Sequence, residues 1–166
     1  SEDGTARIWD AATGTELRQL AGHTDVVSSA AYSPDGKTVV TASRDQTART
    51  WDAATGKELQ QLTGHTDAVN AAAYSPDGKS IVTAGADRTA RIWDAAAGDA
   101  ARQLKGHTGW VTSAAYSPDG RAIVTASQDR TARIWDAATG RVRRQLKGHG
   151  DYVNAAAYSP DGSTVV

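Results

Sequence analysis

Cysteine, methionine and phenylalanine are absent from this sequence of 166 residues, and proline occurs only four times. Without cysteine the chain can form no disulfide and has no thiolate for catalysis or metal binding. No apolar run approaches the roughly 20 residues that a helix needs to cross a bilayer, and no signal peptide is visible. We therefore expect no membrane partner and, by default, a cytoplasmic protein.

An excess of charge of either sign is missing as well. The 18 Lys and Arg nearly balance the 19 Asp and Glu, which leaves a formal net charge of −1. Proteins that bind nucleic acids usually carry a clear basic excess, so we expect no nucleic-acid partner. The missing initiator methionine indicates that the sequence starts inside a longer protein or after a processed tag.

The sequence does contain one unit of 42 residues, repeated four times. All four histidines and four of the five tryptophans follow this period. Every unit contains the turn sequence Tyr-Ser-Pro-Asp-Gly, which uses all four prolines, and the sequence Trp-Asp-Ala-Ala. A repeat of this length is typical of stacked supersecondary units. The recurring positions are His23, His65, His107 and His149; Trp9, Trp51, Trp93 and Trp135; and Tyr32, Tyr74, Tyr116 and Tyr158.

Each unit predicts four short strands joined by turns. In the first complete unit the strands are expected at Val26 to Ser33, Thr38 to Ser43, Thr47 to Trp51 and Lys57 to Leu62. Between the first two, Pro34-Asp35-Gly36 has the residues of a tight turn. Alanine-rich stretches favour helix by propensity, but the turns that bracket them leave too little length for one. The unit is therefore predicted to be an all-β meander.

The Gly-His pair, the turn Asp and the Trp-Asp pair, repeated over the whole chain, resemble the WD-repeat family. The resemblance implies an all-β fold, a β-propeller of four-stranded antiparallel blades arranged around a central axis. It also implies that the first strand of each blade lines the axis and that the fourth lies outermost, where charged side chains protect the edge. The expected divisions are a half-blade at 1–21, blades at 22–63, 64–105 and 106–147, and a half-blade at 148–166.

Every unit carries a histidine, a threonine, an aspartate and a tryptophan at matching positions. A hydroxyl, an imidazole and a carboxylate suggest a catalytic triad. In the family that this chain resembles, however, the quartet is a structural hydrogen-bond chain, and an enzyme needs its nucleophile once and not once per blade. We therefore predict no enzymatic activity. The quartets are His23, Thr41, Asp45 and Trp51; His65, Thr83, Asp87 and Trp93; His107, Thr125, Asp129 and Trp135; and a divided set of His149, Asp3 and Trp9.

Metal and cofactor sites are not predicted. Four histidines placed one per blade cannot converge on an ion, and the sequence has neither a calcium-binding loop nor a glycine-rich phosphate loop. An arginine recurs two residues before each of the four repeated tryptophans, at Arg7, Arg49, Arg91 and Arg133. This row could form an anion site, but we expect each arginine to be a solvated or interblade charge.

Positions that differ between the copies are better candidates for binding, because the scaffold does not require a particular residue there. The resemblance places two such sets near the channel face, where these propellers commonly bind peptides. Trp110 and Tyr152, on adjacent blades, are the expected anchors. The alternative is neutral drift on a solvent-exposed surface. The first set is Val26, Ala68, Trp110 and Tyr152; the second, at the turn before the third strand, includes Glu2, Arg44 and Gln128, followed by Arg88 and Arg130.

Four blades are fewer than the seven or eight usual in the resembling family. The C-terminus encodes the first two strands of a blade and the N-terminus the last two, so two chains joined head to tail would give an eight-bladed homodimeric ring. The threonine of the shared blade falls in a two-residue gap, so this blade should be the weakest. The competing closure is a four-bladed monomer whose own ends meet.

Two functions remain open at this point. The first is a non-catalytic scaffold that assembles with itself, either engineered or a piece of a recently amplified array, as the likeness of the copies suggests. The second is an interaction module that presents its channel face to a peptide or another protein.

Overall fold

The computed structural model describes residues 1–166, and all its regular elements are β-strands. Fourteen strands form three sheets of four strands and one sheet of two. The structure has no helix long and apolar enough to cross a membrane. The strands, in chain order, are β1 Thr5–Trp9, β2 Glu16–Ala21, β3 Val27–Tyr32, β4 Thr38–Ser43, β5 Thr47–Asp52, β6 Glu58–Thr63, β7 Val69–Tyr74, β8 Ser80–Gly85, β9 Thr89–Asp94, β10 Ala100–Lys105, β11 Val111–Tyr116, β12 Ala122–Ser127, β13 Ala132–Asp136 and β14 Val142–Leu146.

Each four-stranded sheet is an antiparallel meander in which consecutive strands are neighbours. We call the sheet of β3 to β6 blade 1, that of β7 to β10 blade 2, and that of β11 to β14 blade 3. Strands β1 and β2 form the N-terminal half-blade, and residues 148–166 form the C-terminal half-blade. The all-β, WD-repeat-like architecture expected from the sequence is confirmed at the level of the single blade.

The meander depends on tight turns that recur in each unit. In blade 1 the turn between β3 and β4 places Gly36 at a φ of 71°, a conformation that glycine adopts without steric cost. The Asp35 carboxylate accepts hydrogen bonds from the Ser33 hydroxyl at 2.7 Å and from the Lys37 backbone N–H at 3.1 Å. These bonds close the turn and return the chain antiparallel to β3.

The first strands of the blades lie side by side. Strand β3 contacts β7, and β7 contacts β11, whereas no two of the fourth strands are in comparable contact. Polar side chains link these inner strands: the Ala72 N–H donates to Ser29 Oγ at 3.1 Å, and Asn70 Nδ2 donates to the Val111 carbonyl at 2.8 Å. The first strand is therefore the inner one, as the resemblance implied.

The hydrophobic core lies between neighbouring blades. One cluster joins Val40 and Leu62 of blade 1 to Ile81 and Trp93 of blade 2, and the equivalent cluster joins blade 2 to blade 3. Smaller clusters connect the N-terminal half-blade to blade 1 and blade 3 to the C-terminal half-blade. Each blade therefore depends on its neighbours for burial of its apolar faces.

The C-terminal half-blade differs from the sequence-based expectation of two strands. A single bridge between Tyr158 and Val165 is its only ladder pairing. In blade 1 the first half of β3, from Val27 to Ala30, pairs with Thr41, Ala42 and Ser43. The equivalent residues would follow Val166, so the inner strand of the half-blade has no partner along most of its length.

Candidate functional site

The quartet of each complete blade forms a continuous hydrogen-bond chain. In blade 1, Trp51 Nε1 donates to Thr41 Oγ1 at 2.8 Å, Thr41 Oγ1 lies 2.7 Å from His23 Nε2, and His23 Nδ1 lies 2.7 Å from Asp45 Oδ2. The corresponding distances in blades 2 and 3 lie between 2.7 and 2.9 Å. The sequence period therefore places all four groups in contact three times over.

The direction of each bond follows from the donors available. The Trp51 indole N–H can only donate, so the Thr41 oxygen accepts it and the Thr41 hydroxyl proton points to His23 Nε2. The remaining proton of a neutral imidazole is then on Nδ1, where it is donated to the Asp45 carboxylate. The hydrogen-bonded quartet therefore fixes one tautomer of the histidine in each complete blade.

Burial and hydrogen bonding together hold these protonation states. Burial lowers the pKa of His23 and of His107 below 6.5, even though the partner carboxylates act in the opposite direction. Burial alone would raise the pKa of Asp45, but hydrogen bonds from Thr47, His23 and the Thr24 N–H outweigh it and leave a pKa of about 2. At neutral pH His23 and His107 are therefore uncharged and Asp45 is ionised.

The quartet geometry does not suit catalysis. Thr41, Thr83 and Thr125 are completely buried, so their hydroxyls are out of reach of a substrate. Each hydroxyl is also held between an indole and an imidazole. In each blade the hydrogen-bonded quartet links four segments: the loop before the first strand, the second strand, the turn after it and the third strand. These bonds hold the parts of one blade together.

The divided quartet is not brought together within the chain. Trp9 is 53% exposed, whereas Trp51, Trp93 and Trp135 are each 1% exposed. Asp3 accepts bonds only from its own neighbourhood, from the backbone N–H and hydroxyl of Thr5 and from Arg7 Nη2. His149 is exposed at the start of the C-terminal half-blade and makes no side-chain hydrogen bond.

The prediction of solvated or interblade charge was wrong for Arg49, Arg91 and Arg133, whose side chains are only 12%, 16% and 14% exposed, whereas Arg7 is exposed. The Arg49 side chain is largely buried, and its Nη1 lies 2.7 Å from Glu58 Oε2 on the neighbouring strand of the same blade. Arg7 pairs in the same way with Glu16 at 2.6 Å. Sequence reasoning missed these pairs because the glutamate recurs in only two of the four units.

The two sets of differing residues that were predicted to line the channel face lie side by side. The backbone N–H of Gln128 donates to the Trp110 carbonyl at 2.9 Å, and Arg44 donates to the Val26 carbonyl at the same distance. In blade 2 the Ala86 N–H donates to the Ala68 carbonyl at 2.8 Å. Each loop before a first strand is therefore paired with the turn before the third strand.

Large side chains project from this surface. Trp110 is 49% exposed and Tyr152 is 57% exposed, while the corresponding Val26 and Ala68 are small and partly buried. In the neighbouring turns, Arg88 and Arg130 each have a φ of 66°. Few residues other than glycine adopt this left-handed conformation, so the two turns are locally strained. Glu2, the counterpart of Arg44 and Gln128 in the N-terminal half-blade, is exposed as well.

The largest groove lies elsewhere, at the opposite ends of the strands. It runs between blades 1 and 2 and is lined by Pro34, Gln60, Tyr74 and Lys79, among others. It contains no quartet residue and none of the differing residues that were predicted to bind a peptide. No group of three or more His, Asp or Glu side chains is placed to hold a metal ion.

Comparison with known proteins agrees with the fold. The model of the family described as "WD domain, G-beta repeat" (WD40) matches residues 14–52, 56–94, 98–136 and 140–166. The first three matches begin at the outer strand of one blade and end at the third strand of the next, and the fourth ends in the C-terminal half-blade. Coronin-7 from Mus musculus and Coronin-7 from Rattus norvegicus are each 50% identical to this chain over 44 residues. That segment is 26% of this chain and 5% of either relative.

The family match spans most of the chain, and the three complete blades carry the repeated Gly-His and Trp-Asp markers on four-stranded meanders. The chain therefore belongs to the WD40 family of protein-interaction scaffolds.

Proposed function

We propose that the chain is a scaffold whose half-blades join those of a second copy, so that two chains close a ring of eight blades. The observation that carries this proposal is the exposure of core positions at both ends. Val166 is 93% exposed, whereas Val40, Val82 and Val124, its counterparts in the complete blades, are 0% exposed. Trp9 at the other end is exposed in the same way. Apolar surface of this kind favours association.

The interblade contacts within the chain indicate how the ends would fit. Tyr74 of blade 2 is hydrogen-bonded through its hydroxyl to Thr38 of blade 1 at 2.9 Å. The counterpart of Tyr74 in blade 1 is Tyr32, which is exposed, and the counterpart of Thr38 in the C-terminal half-blade is Thr164, also exposed. The proposal pairs Tyr32 of one copy with Thr164 of the other.

The outer strands support the same pairing. Arg18 donates from Nε to the Ala54 carbonyl of the next blade, and Gln60 donates to Ala96 in the equivalent contact. The counterpart in blade 3 is Arg144, which is exposed, and the C-terminal half-blade that follows it does not include the equivalent of Ala54 and Ala96. In the closed ring, Arg144 would meet Ala12 of the second copy.

Charge is distributed in a way that favours this arrangement. Residues 106–147 carry seven Lys and Arg against three Asp, a net charge of +4. Residues 1–21 and 148–166 each carry a net charge of −2. Head-to-tail joining would place a shared blade of charge −4 beside blade 3, and opposite charge on adjoining surfaces selects the correct pairing.

The competing four-bladed monomer is less well supported. Closure within one chain would bring residues 1–21 against residues 148–166, but no hydrogen bond or ion pair joins them. Trp9 and Val166, which such a closure would cover, are both exposed.

A pair of matched substitutions tests the proposed interface. Trp9→Asp places a charge where the second copy would pack and should reduce the solution mass to that of one chain. Trp110→Asp changes a tryptophan of similar exposure on a complete blade and should leave the mass of two chains unaltered. Equal masses for the two variants at the same concentration would count against assembly through the half-blades.

A second function, peptide binding at the channel face, is favoured by the exposed aromatic pair on adjacent units. Trp110 and Tyr152 have the size and rigidity of interface anchors. Peptides selected from a random library against the protein should lose at least about tenfold in affinity on Trp110→Ala. The control is Leu59→Ala, which removes an equally exposed apolar side chain from an outer strand. Selected peptides that bind the unmodified protein, Trp110→Ala and Leu59→Ala with equal affinity would exclude the channel face as the peptide-binding site.

A further inference from the structure

The arginine row differs between blades in a way that the proposed assembly does not explain. Arg49, Arg91 and Arg133 occupy the same place, with Nη2 at 3.9, 3.9 and 3.8 Å from Oδ2 of the quartet aspartate in their own blade. In blade 1 the guanidinium has a second acid, because Glu58 Oε2 lies 2.7 Å from Arg49 Nη1. Ala100 and Val142 stand at the position of Glu58 in the other two blades. Neither side chain can accept a hydrogen bond.

The aspartates do not replace the missing carboxylate. Asp87 Oδ2 already accepts from His65 Nδ1 at 2.8 Å and from the Thr66 N–H at 3.2 Å. A separation of 3.9 Å from Arg91 is too long for a hydrogen bond. Asp129 is committed in the same way to His107 and Thr108. The guanidinium groups of Arg91 and Arg133 therefore donate to no protein acceptor.

These two guanidinium groups are nevertheless held in place. The Arg91 side chain is only 16% exposed and that of Arg133 only 14%. Gly64 makes room for Arg91, because a Cβ at that position would lie 3.0 Å from Nη1. The Trp93 ring borders the same space. The Nη groups of both arginines have no protein acceptor, and a carboxylate beside them could accept the charge-assisted hydrogen bond that Glu58 accepts from Arg49.

We propose that Arg91 and Arg133 are two equivalent binding sites for a carboxylate group. The bound oxygen would take the position that Glu58 Oε2 takes beside Arg49. Solvent reaches this position because Glu58 is itself partly exposed and both Ala100 and Val142 are exposed. The carboxylate comes either from a free organic acid or from a Glu or Asp side chain of an acidic peptide; both present the same planar group to the guanidinium.

The two sites differ in their surrounding charge. The residue before Ala100 is Asp99, whereas the residue before Val142 is Arg141. The site at Arg133 therefore has an additional nearby positive charge where the site at Arg91 has a negative one. We expect the Arg133 site to bind carboxylate about threefold more tightly at moderate ionic strength.

The test follows the Nε–H signals of the arginines by NMR during titration with sodium acetate and, separately, with a short glutamate peptide at constant ionic strength. Signals of Arg91 and Arg133 should shift and saturate, and the signal of Arg49 should not. A larger response to the peptide would identify protein-borne acids as the source, and a response to acetate alone would identify free organic acids. Signals of Arg91 and Arg133 that fail to saturate with either probe would overturn the proposal.

Three variants make the test specific. Ala100→Glu and Val142→Glu should each abolish the response of the arginine in the same blade and raise the midpoint of thermal unfolding by about 2 to 4 °C. Glu58→Ala should create the same response at Arg49. An unchanged response in Ala100→Glu, or none at Arg49 in Glu58→Ala, would show that the carboxylate position is not the binding site.

Discussion

Among single residues, the threonine in the middle of each quartet is expected to contribute most to stability, because two buried nitrogens depend on its hydroxyl. Thr83 Oγ1 accepts from Trp93 Nε1 at 2.9 Å and lies 2.7 Å from His65 Nε2. Thr83→Val keeps the volume but leaves both nitrogens buried without a partner. We expect the free energy of unfolding to fall by about 3 kcal/mol in urea titrations at fixed protein concentration. The control, Thr66→Val, changes an exposed residue of the same blade and should cost less than about 0.5 kcal/mol.

The quartets also predict how stability depends on pH. His23 and His107 have a lower pKa in the folded chain than the ordinary 6.5, so the unfolded chain binds more protons as pH falls below 6.5, and stability decreases. Asp45 and Asp129, with a pKa of about 2 against 3.8 when unfolded, add a second loss below 3.8. Urea unfolding across this range should show both decreases. A free energy of unfolding that stayed constant from neutral pH down to 3.8 would contradict the buried, uncharged histidines.

Residue-level prediction from the sequence succeeded where the period is strict and failed where it is broken. Each quartet member recurs in every complete unit, so its position could be identified before its partners were known. The Arg49–Glu58 pair could not, because Glu58 has a counterpart only at Glu16. Contacts between blades, such as that of Asn70 with the Val111 carbonyl, depend on how the sheets pack, so the repeat pattern could not predict them.

At the scale of strands and turns, prediction was close within complete blades. The expected strands of blade 1 fall within one residue of those observed, because turn residues bracket every strand. The C-terminal half-blade was predicted less well. Its inner strand has the same residue pattern as β3, but a strand forms only where a partner runs beside it, and that partner ends at Val166.

The turn before the third strand offers a test of strain. Arg88 has a φ of 66°, and the equivalent residue of the first unit is Gly4 at 74°. Arg88→Gly should stabilise the chain by about 0.5 to 1 kcal/mol, because glycine adopts this conformation without a Cβ clash. Arg88→Ala retains the Cβ and should give no such gain, so the comparison separates backbone strain from loss of charge. Thermal unfolding measures both, and equal stability of the two variants would contradict the strain.

For the whole molecule, the exposed half-blades lead us to expect that stability depends on protein concentration. If a second copy covers Trp9 and Val166, folding and association are coupled, and the midpoint of thermal unfolding should rise with protein concentration. Trp9→Asp should remove that dependence while the three complete blades stay folded by circular dichroism. A midpoint independent of concentration in the unmodified chain would indicate that each copy folds alone.

We propose that two copies of this chain complete each other's divided blade. The most direct test of this proposal is the solution mass of the 166-residue chain, measured by light scattering after size-exclusion chromatography at micromolar concentration. We expect a mass near twice the 17.3 kDa of one chain. A mass of a single chain under those conditions would contradict it.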